Sequence, residues 1–194
     1  MRRLAAQVAP FAVAVALLVP AAQAAPAPQL TDPKGDWQTA GQDVLWGRLS
    51  SVRGDRGPEV RGELRLAAPP TVPGTVYRFA FTFDDCHEYS FAYQVPGAAD
   101  SRPALNPTQP GMNYSDRCDD VPGPDTSYAV SAVVTGDTIV WQAPYVGHIQ
   151  RGAIVRTFAG LACASATCGL GVVPAGDLAA ATGRYVMGSD LPRR

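Results

Sequence analysis

The most restrictive feature of this sequence is the close spacing of its prolines and glycines. There are 19 glycines and 18 prolines in 194 residues, and turn-forming clusters such as 32–36, 53–58, 122–124 and 136–137 recur along the chain. Proline removes a backbone donor and kinks a helix, and glycine weakens one, so long helices do not fit between these breaks. The spacing therefore predicts a fold of short strands joined by turns.

Alternating side chains between the turns indicate where the strands run. Every second residue from Val60 to Leu66 is apolar or glycine, and the residues between them are charged. Aromatic side chains alternate in the same way over 77–83 and 89–95, which predicts two neighbouring antiparallel strands. A hairpin is predicted around 135–137, where Gly136 can supply the positive φ that tight connections favour. The strands predicted in addition span 128–134, 138–143, 153–158 and 184–187.

Two segments depart from this pattern. Asp177 is a typical helix cap, so residues 177–182 are predicted to form one or two helical turns ending at Gly183. Residues 96–124 lack periodicity and are rich in Pro, Asn, Ser and Asp, which predicts a long loop. Taken together, the sequence predicts an all-β fold, an antiparallel β-sandwich of jelly-roll or immunoglobulin-like type with about seven to nine short strands.

The first 24 residues have the three parts of a secretory signal peptide. Arg2 and Arg3 precede an apolar segment of about a dozen residues, and Ala22-Gln23-Ala24 forms a small-x-small cleavage site. Because that segment is too short to span a bilayer as a helix, we expect a secreted, extracellular protein without a membrane span after cleavage. Residues 25–30 are predicted to be an Ala/Pro spacer and residues 31–194 a single β-sandwich domain.

The charge of the mature chain argues against nucleic acid as a partner. Removing Arg2 and Arg3 leaves 14 of the 16 basic residues against 17 acidic ones, a net charge of −3. These charges are dispersed along the chain, without the basic patch that attracts nucleic acid or an anionic membrane surface. We expect neither partner.

All four cysteines lie in the mature part of the chain. An even number of cysteines in an exported protein indicates disulfide bonds, and four cysteines allow three pairings. Cys163 and Cys168 are close enough in sequence to close a small loop, which leaves Cys86 to pair with Cys118. Two structural disulfides are the favoured prediction.

The start of the predicted domain resembles a family of secreted bacterial modules. Residues 32–36, with the sequence DPKGD, are followed by Asp43-Val44-Leu45 and later by a Leu-rich strand ending in Ala67-Ala-Pro-Pro70; the chain closes with Tyr185-Val186-Met187-Gly188. This order resembles DOMON-like β-sandwiches, which are similar to family-9 carbohydrate-binding modules. The resemblance implies a jelly-roll sandwich that binds calcium structurally and takes a sugar, haem or protein ligand.

Asp32, Asp36 and Asp43 are the candidate metal ligands. Calcium takes six to eight hard oxygen ligands, and carboxylates beside a glycine-containing loop suit it. The alternative is that Asp32 and Asp36 are turn residues and that Asp43 caps a strand. We favour the turn interpretation, with structural calcium as the one cofactor that these residues leave open.

The segment FTFDDCHEYSF, residues 81–91, raises a second possibility. Asp84, Asp85, Cys86, His87 and Glu88 offer donors for zinc or groups for catalysis, but a thiol must be reduced to act in either role. The alternative is a hairpin tip held by a disulfide between Cys86 and Cys118. We favour the tip, because successive residues of an extended strand point to opposite faces.

The sequence predicts no catalytic residue and favours a secreted, non-catalytic extracellular binding or interaction module. Its ligand, a carbohydrate or a protein, is not specified by any motif. One alternative is a small secreted hydrolase that uses the loop carboxylates Asp84, Glu88, Asp116 and Asp119. Another is a purely structural envelope protein. The three tryptophans would form a sugar-stacking platform or, as we favour, place at least one indole in the core.

Overall fold

Two antiparallel sheets make up the part of the chain that the structure describes. The computed structural model describes residues 26–36, 39–84, 86–96, 110–116, 118, 126–163 and 176–192. The strands in these residues are β1 (Leu30–Thr31), β2 (Val44–Gly54), β3 (Gly57–Leu66), β4 (Val76–Phe83), β5 (His87–Gln94), β6 (Gly111–Asp116), β7 (Thr126–Ala129), β8 (Ser131–Thr135), β9 (Thr138–Pro144), β10 (Ile154–Cys163) and β11 (Gly176–Val186). The all-β prediction is confirmed, with eleven strands where about seven to nine were expected.

The chain crosses between the two sheets several times, so strands that follow one another in sequence do not always share a sheet. The five-stranded sheet has the order β1-β2-β3-β9-β8 and the six-stranded sheet the order β11-β10-β4-β5-β6-β7, and all neighbours are antiparallel. The predicted aromatic strands are the neighbours β4 and β5, and the predicted hairpin joins β8 to β9. Gly136 has a φ of 60° in that turn, as the first central residue of a type II′ turn requires.

Three predictions of secondary structure are wrong. Residues 177–182 lie within strand β11, because pairing with β10 along their length outweighs the weak helical signal of a single cap. The predicted loop 96–124 contains strand β6, which pairs with β5 and β7. The predicted strand 128–134 is divided at Val130, since β7 belongs to the six-stranded sheet and β8 to the five-stranded one.

The folded domain starts earlier than the sequence predicted. Leu30 was assigned to the spacer, but it is fully buried and pairs with Gly47. The Gln29 side chain bonds both backbone groups of Leu49, accepting from the amide at 2.7 Å and donating to the carbonyl at 3.2 Å. The predicted signal peptide lies outside the described residues, which contain no helix long and apolar enough to cross a membrane.

The core lies between the two sheets and is rich in aromatic rings. Trp141 of β9 is fully buried, stacks on Phe91 of β5 with 5.9 Å between ring centroids, and donates its indole N–H to the Ala92 carbonyl at 3.1 Å. The prediction of a core tryptophan is therefore confirmed. Trp46 is half-buried with the Arg48 guanidinium 5.4 Å from its ring, and Trp37 lies outside the described residues.

A disulfide joins Cys86, in the turn between β4 and β5, to Cys118, just beyond β6. Their Cα atoms are 5.2 Å apart, and Cys86 has a φ of 65°. This pairing confirms the predicted Cys86–Cys118 bridge and the interpretation of residues 84–88 as a disulfide-held tip. The second predicted bridge needs Cys168, which lies outside the described residues, so it stays a prediction.

Candidate functional site

Four aspartates meet at the edge of the sandwich where β1 and β11 approach each other. One carboxylate oxygen from each of Asp32, Asp36 and Asp177 lies within 4.8 Å of the other two. Asp43 adjoins them: its Oδ2 accepts a hydrogen bond from the Gly35 amide at 2.8 Å, and its charge acts on the carboxyl groups of Asp32 and Asp177. We call these four residues the aspartate cluster. It contains all three candidate metal ligands from the sequence and adds Asp177.

Backbone contacts fix the positions of these side chains. Asp32 directly follows β1, and its amide donates to the Leu45 carbonyl at 2.9 Å. Gly35 has a φ of 88°, a conformation that glycine adopts without steric cost, and this turn presents its amide to Asp43. Asp177 Oδ2 accepts a hydrogen bond of 2.5 Å from the Val44 amide at the start of β2. The cluster thus connects the five-stranded sheet to the six-stranded sheet.

Two carboxylate oxygens in the cluster are buried without a hydrogen-bond partner. They are Asp43 Oδ1 and Asp32 Oδ2, and Asp43 as a residue is only 1% exposed. A buried charged oxygen without a partner costs free energy, and the cost is removed by a proton or by a cation. The orphaned oxygens therefore indicate that the cluster binds one or the other.

The electrostatics of the cluster also favour a positive ligand. Burial, and after it the neighbouring charges of Asp177, Asp36 and Asp43, together raise the pKa of Asp32 to about 6. The pKa of Asp177 is likewise raised, chiefly by burial and then by the charges of Asp36 and Asp43, against the lowering effect of its hydrogen bond from Val44. Mutual repulsion of this kind is what a bound cation relieves.

The donor set fits calcium better than zinc. Oxygens bound to one Ca²⁺ at about 2.4 Å lie no more than about 4.8 Å apart, and the carboxylate oxygens of Asp32, Asp36 and Asp177 lie within that distance of one another. The donors in the cluster are carboxylates, whereas zinc sites use histidine and cysteine. Magnesium retains more of its water and uses fewer carboxylates. The aspartate cluster is therefore a candidate calcium site.

The only two histidines of the chain stack on each other near the disulfide. The rings of His87 and His148 have centroids 3.5 Å apart and planes within 16°, and both stack on Tyr114 with centroids 5.8 Å away. The His148 amide donates to the Tyr89 hydroxyl at 3.1 Å. This contact fastens the loop after β9 to the start of β5.

The disulfide removes the zinc hypothesis for this second cluster. Donor atoms of His87, Asp116 and Cys118 lie within 4.8 Å of one another, but Cys118 is bonded to Cys86 and offers no thiolate. The parallel rings of His87 and His148 hold their nitrogen lone pairs in separate planes, so they do not share one ion. Zinc sites need three or four protein donors, which the oxidised cluster does not supply.

The carboxylates of the hydrolase hypothesis are dispersed. Asp84 forms an ion pair with Arg156 on the surface. Asp116 lies opposite His87 across β5 and β6, whereas Glu88 points to the other face of the sheet because neighbouring residues of a strand alternate. Asp85 and Asp119 lie outside the described residues. The described acids of this hypothesis, Asp84, Glu88 and Asp116, therefore do not form the facing pair that glycoside hydrolysis requires.

A groove of about 510 Å³ runs over the outer face of the six-stranded sheet. Its walls come from β4, β5, β10 and β11 and consist mainly of alanine and threonine, with Glu88 as a charged group and Leu178, 41% exposed, at one side. It is separate from the aspartate cluster, since Asp177 and Leu178 point to opposite faces of β11.

Comparison with protein-family models, curated proteins and solved structures finds no match for this chain. The fold and the site define it as an all-β protein of two antiparallel sheets with a candidate calcium site between them. The resemblance to DOMON-like modules stays an expectation.

Proposed function

We propose that this protein is a secreted, non-catalytic binding module whose β-sandwich is completed by a calcium ion in the aspartate cluster. The observation that carries the proposal is the pair of buried carboxylate oxygens, Asp43 Oδ1 and Asp32 Oδ2, that have no hydrogen-bond partner. Bound calcium would supply positive charge to these oxygens and would offset the burial and repulsion that raise the pKa of Asp32.

The position of the cluster suggests a structural role for the ion. Asp32 and Asp43 flank the ends of β1 and β2 in one sheet, and Asp177 belongs to β11 in the other. Holding these carboxylates together would therefore connect the sheets at the edge where β1 pairs over only two residues. Such a link stabilises the folded state without any reaction.

The ligand of the module is proposed to be a protein, held in the groove of the six-stranded sheet. Sugar rings are usually recognised by exposed aromatic faces, but of the two described tryptophans Trp141 is buried and Trp46 has the Arg48 guanidinium over its ring. The small side chains of Ala80, Ala159 and Ala180 would instead let an extended backbone approach the sheet. The hydrolase alternative has no comparable support among the described acids.

Calcium titration of the mature chain tests the metal part of the proposal. We expect Ca²⁺ to raise the Tm of EDTA-treated protein, because a ligand that binds only the folded state adds about 2.7 kcal/mol at 100-fold excess over Kd. For a domain of this size that corresponds to about 5–10 °C. Calorimetric titration and thermal melts with Ca²⁺ and with Mg²⁺ measure the effect.

Two variants distinguish calcium binding at the aspartate cluster from non-specific binding to acidic side chains on the surface. Asp43→Asn keeps the acceptor for Gly35 but removes the charge, so we expect the calcium shift to disappear while the metal-free Tm is unchanged or higher. Asp55→Asn, in the exposed turn between β2 and β3, is the matched control and should retain the full shift. A wild-type protein with neither binding heat nor a Tm change at millimolar calcium would refute the calcium site.

A further inference from the structure

Strand β8 forms an open edge of the five-stranded sheet. It pairs with β9 on one side and is the last strand in the sheet order among the described residues. Val133 is 59% exposed and Val134 is 37% exposed, and they are two of four large apolar residues in the described chain that are exposed. An edge strand presents unpaired backbone groups that can accept another strand.

The sequence of this edge lacks the usual protection against pairing. Natural edge strands are blunted by charged residues, prolines or bulges. Residues 126–136, with the sequence TSYAVSAVVTG, contain no charge and no proline, and β8 pairs with β9 in continuous register without a bulge. The long edge strand β11, by contrast, carries Asp177 and Arg184. A second copy of β8 would therefore meet no charge repulsion at this edge.

The hairpin geometry fixes which backbone groups face outward. The two-residue turn closes on the pair Thr135–Thr138, which is hydrogen-bonded in such hairpins, and the bonded pairs then alternate along the strand. Ser131, Val133 and Thr135 thus direct their amides and carbonyls to β9. Ala132 and Val134 direct theirs to the open edge.

We propose that β8 pairs antiparallel with β8 of a second copy of this chain, about a twofold axis between the two Val133 residues. In this register the outward-facing groups of Ala132 and Val134 bond those of Val134 and Ala132 in the other copy. Val133 faces Val133 in a non-hydrogen-bonded pair, where side chains lie closest, and β-branched pairs of this kind are favourable. An isologous contact of this type forms a closed dimer.

The inner face of the paired strands continues the same pattern. Ala132 packs against the core, and Ala132 of one copy would lie beside Val134 of the other, while the hydroxyl residues Ser131 and Thr135 meet on the outer face. One short strand pair buries less than the ~1,200 Å² of a stable complex, so the dimer is reversible. Its population therefore rises with protein concentration.

Cross-linking tests the register directly. At the twofold axis the two Val133 Cα atoms would be about 4.5 Å apart, within the range that a disulfide spans. Val133→Cys should therefore give a covalent, thiol-reversible dimer under mild oxidation. Val72→Cys is the matched control, since Val72 is also an exposed valine, at 36%, but lies in the turn before β4. Equal cross-linking of both variants would overturn the proposed axis.

Sedimentation velocity tests the uncrosslinked protein. We expect wild type and Val72→Lys to show the same dimer fraction, rising with protein concentration up to about 1 mM, the Kd of a weak specific contact. Val133→Lys should sediment as a monomer, because it places two like charges opposite each other. Far-UV circular dichroism confirms that both variants are folded. Wild-type protein that sediments as a monomer throughout, or Val133→Lys that dimerises as wild type does, would refute the proposal.

Discussion

Asp32 combines partial burial with three neighbouring carboxylates. Its Oδ2 is buried without a partner, and burial followed by the charges of Asp177, Asp36 and Asp43 raises its pKa from 3.8 to about 6. In the unfolded chain these neighbours separate and the carboxyl group is exposed to water. The metal-free folded state therefore holds the Asp32 proton to a higher pH than the unfolded state does.

This difference predicts how the stability of metal-free protein depends on pH. The folded state binds more protons between pH 3.8 and about 6, so the Asp32 contribution is present below this interval and is lost as the pH rises through it. Urea unfolding in EDTA should show a free energy of unfolding that falls over this range. The free energy of unfolding of Asp32→Asn should fall less steeply with pH. An identical slope in both proteins would contradict the assignment of this pH dependence to Asp32.

The turn between β4 and β5 is held by covalent and backbone geometry together. Cys86 has a φ of 65°, which is unfavourable for any residue with a Cβ, and its amide donates to the Phe83 carbonyl at 3.1 Å. The Cys86–Cys118 bond connects this turn to the end of β6 and encloses the segment between them. The bridge thus joins this turn to the residue just beyond β6, within the region that the sequence predicted to be an irregular loop.

Removing the disulfide should separate its contribution to stability from the cost of the positive φ at residue 86. Cys86→Ala with Cys118→Ala is expected to lower the free energy of unfolding by about 3.5 kcal/mol, the chain-entropy value for a loop of this length. Cys86→Gly with Cys118→Ala should recover about 1 kcal/mol of that loss, since glycine adopts positive φ without a Cβ clash. Denaturant unfolding measures both. Equal stability of the two double variants would show that the backbone at residue 86 carries no strain.

Close approach of the two sheets is a property of the whole molecule. Gly62 of β3 lies against the ring of Phe91 in the opposite sheet, and a Cβ at residue 62 would come within 2.6 Å of that ring. Gly160 of β10 is similar, since a Cβ there would lie 2.9 Å from Leu30 of the first sheet. Glycines in the middle of strands thus make room for large apolar side chains between the sheets.

Gly62→Ala should be destabilising for this reason. The added methyl group must displace the Phe91 ring, which stacks on Trp141, and overpacking of this kind costs about 1–3 kcal/mol. Gly111→Ala in β6 is the control: among the described residues a Cβ there meets only the Tyr128 carbonyl at 3.8 Å, so we expect a change within about 0.5 kcal/mol. Thermal or urea unfolding compares them. A loss no larger than that of the control would contradict the packing argument.

Local patterns predicted the parts of the fold that depend on local chemistry. The alternation at 60–66 and 77–83 places the correct residues in the core, and Gly136 forms the predicted turn. Glu63 is an exception, since it lies on the outer face but is 5% exposed beneath Arg48 and Arg61, which form ion pairs with it. Alternation reports the face of a sheet, whereas long neighbouring side chains decide how much of that face water reaches.

The aspartate cluster was predictable in part. Asp32, Asp36 and Asp43 are close in sequence, so one turn brings them together, and calcium was the less favoured of the two interpretations of their acidic pattern. Asp177 is far away in sequence, and its local context resembles a helix cap. Only the pairing of β11 with β10 turns its side chain inward to the Val44 amide. No local signal distinguishes a capping aspartate from one that is positioned by a distant strand.

The sequence by itself determined the all-β class, the hairpins and the acidic loop, because turns and alternation are encoded by nearby residues, and it favoured the Cys86–Cys118 pairing among three. The tertiary structure decided which sheet each strand joins, the division of residues 126–135 between β7 and β8, and the meeting of Asp177 with the other three aspartates. These outcomes depend on strand pairings over long sequence separations. Their free energy comes from packing one whole sheet against the other, which no short segment contains.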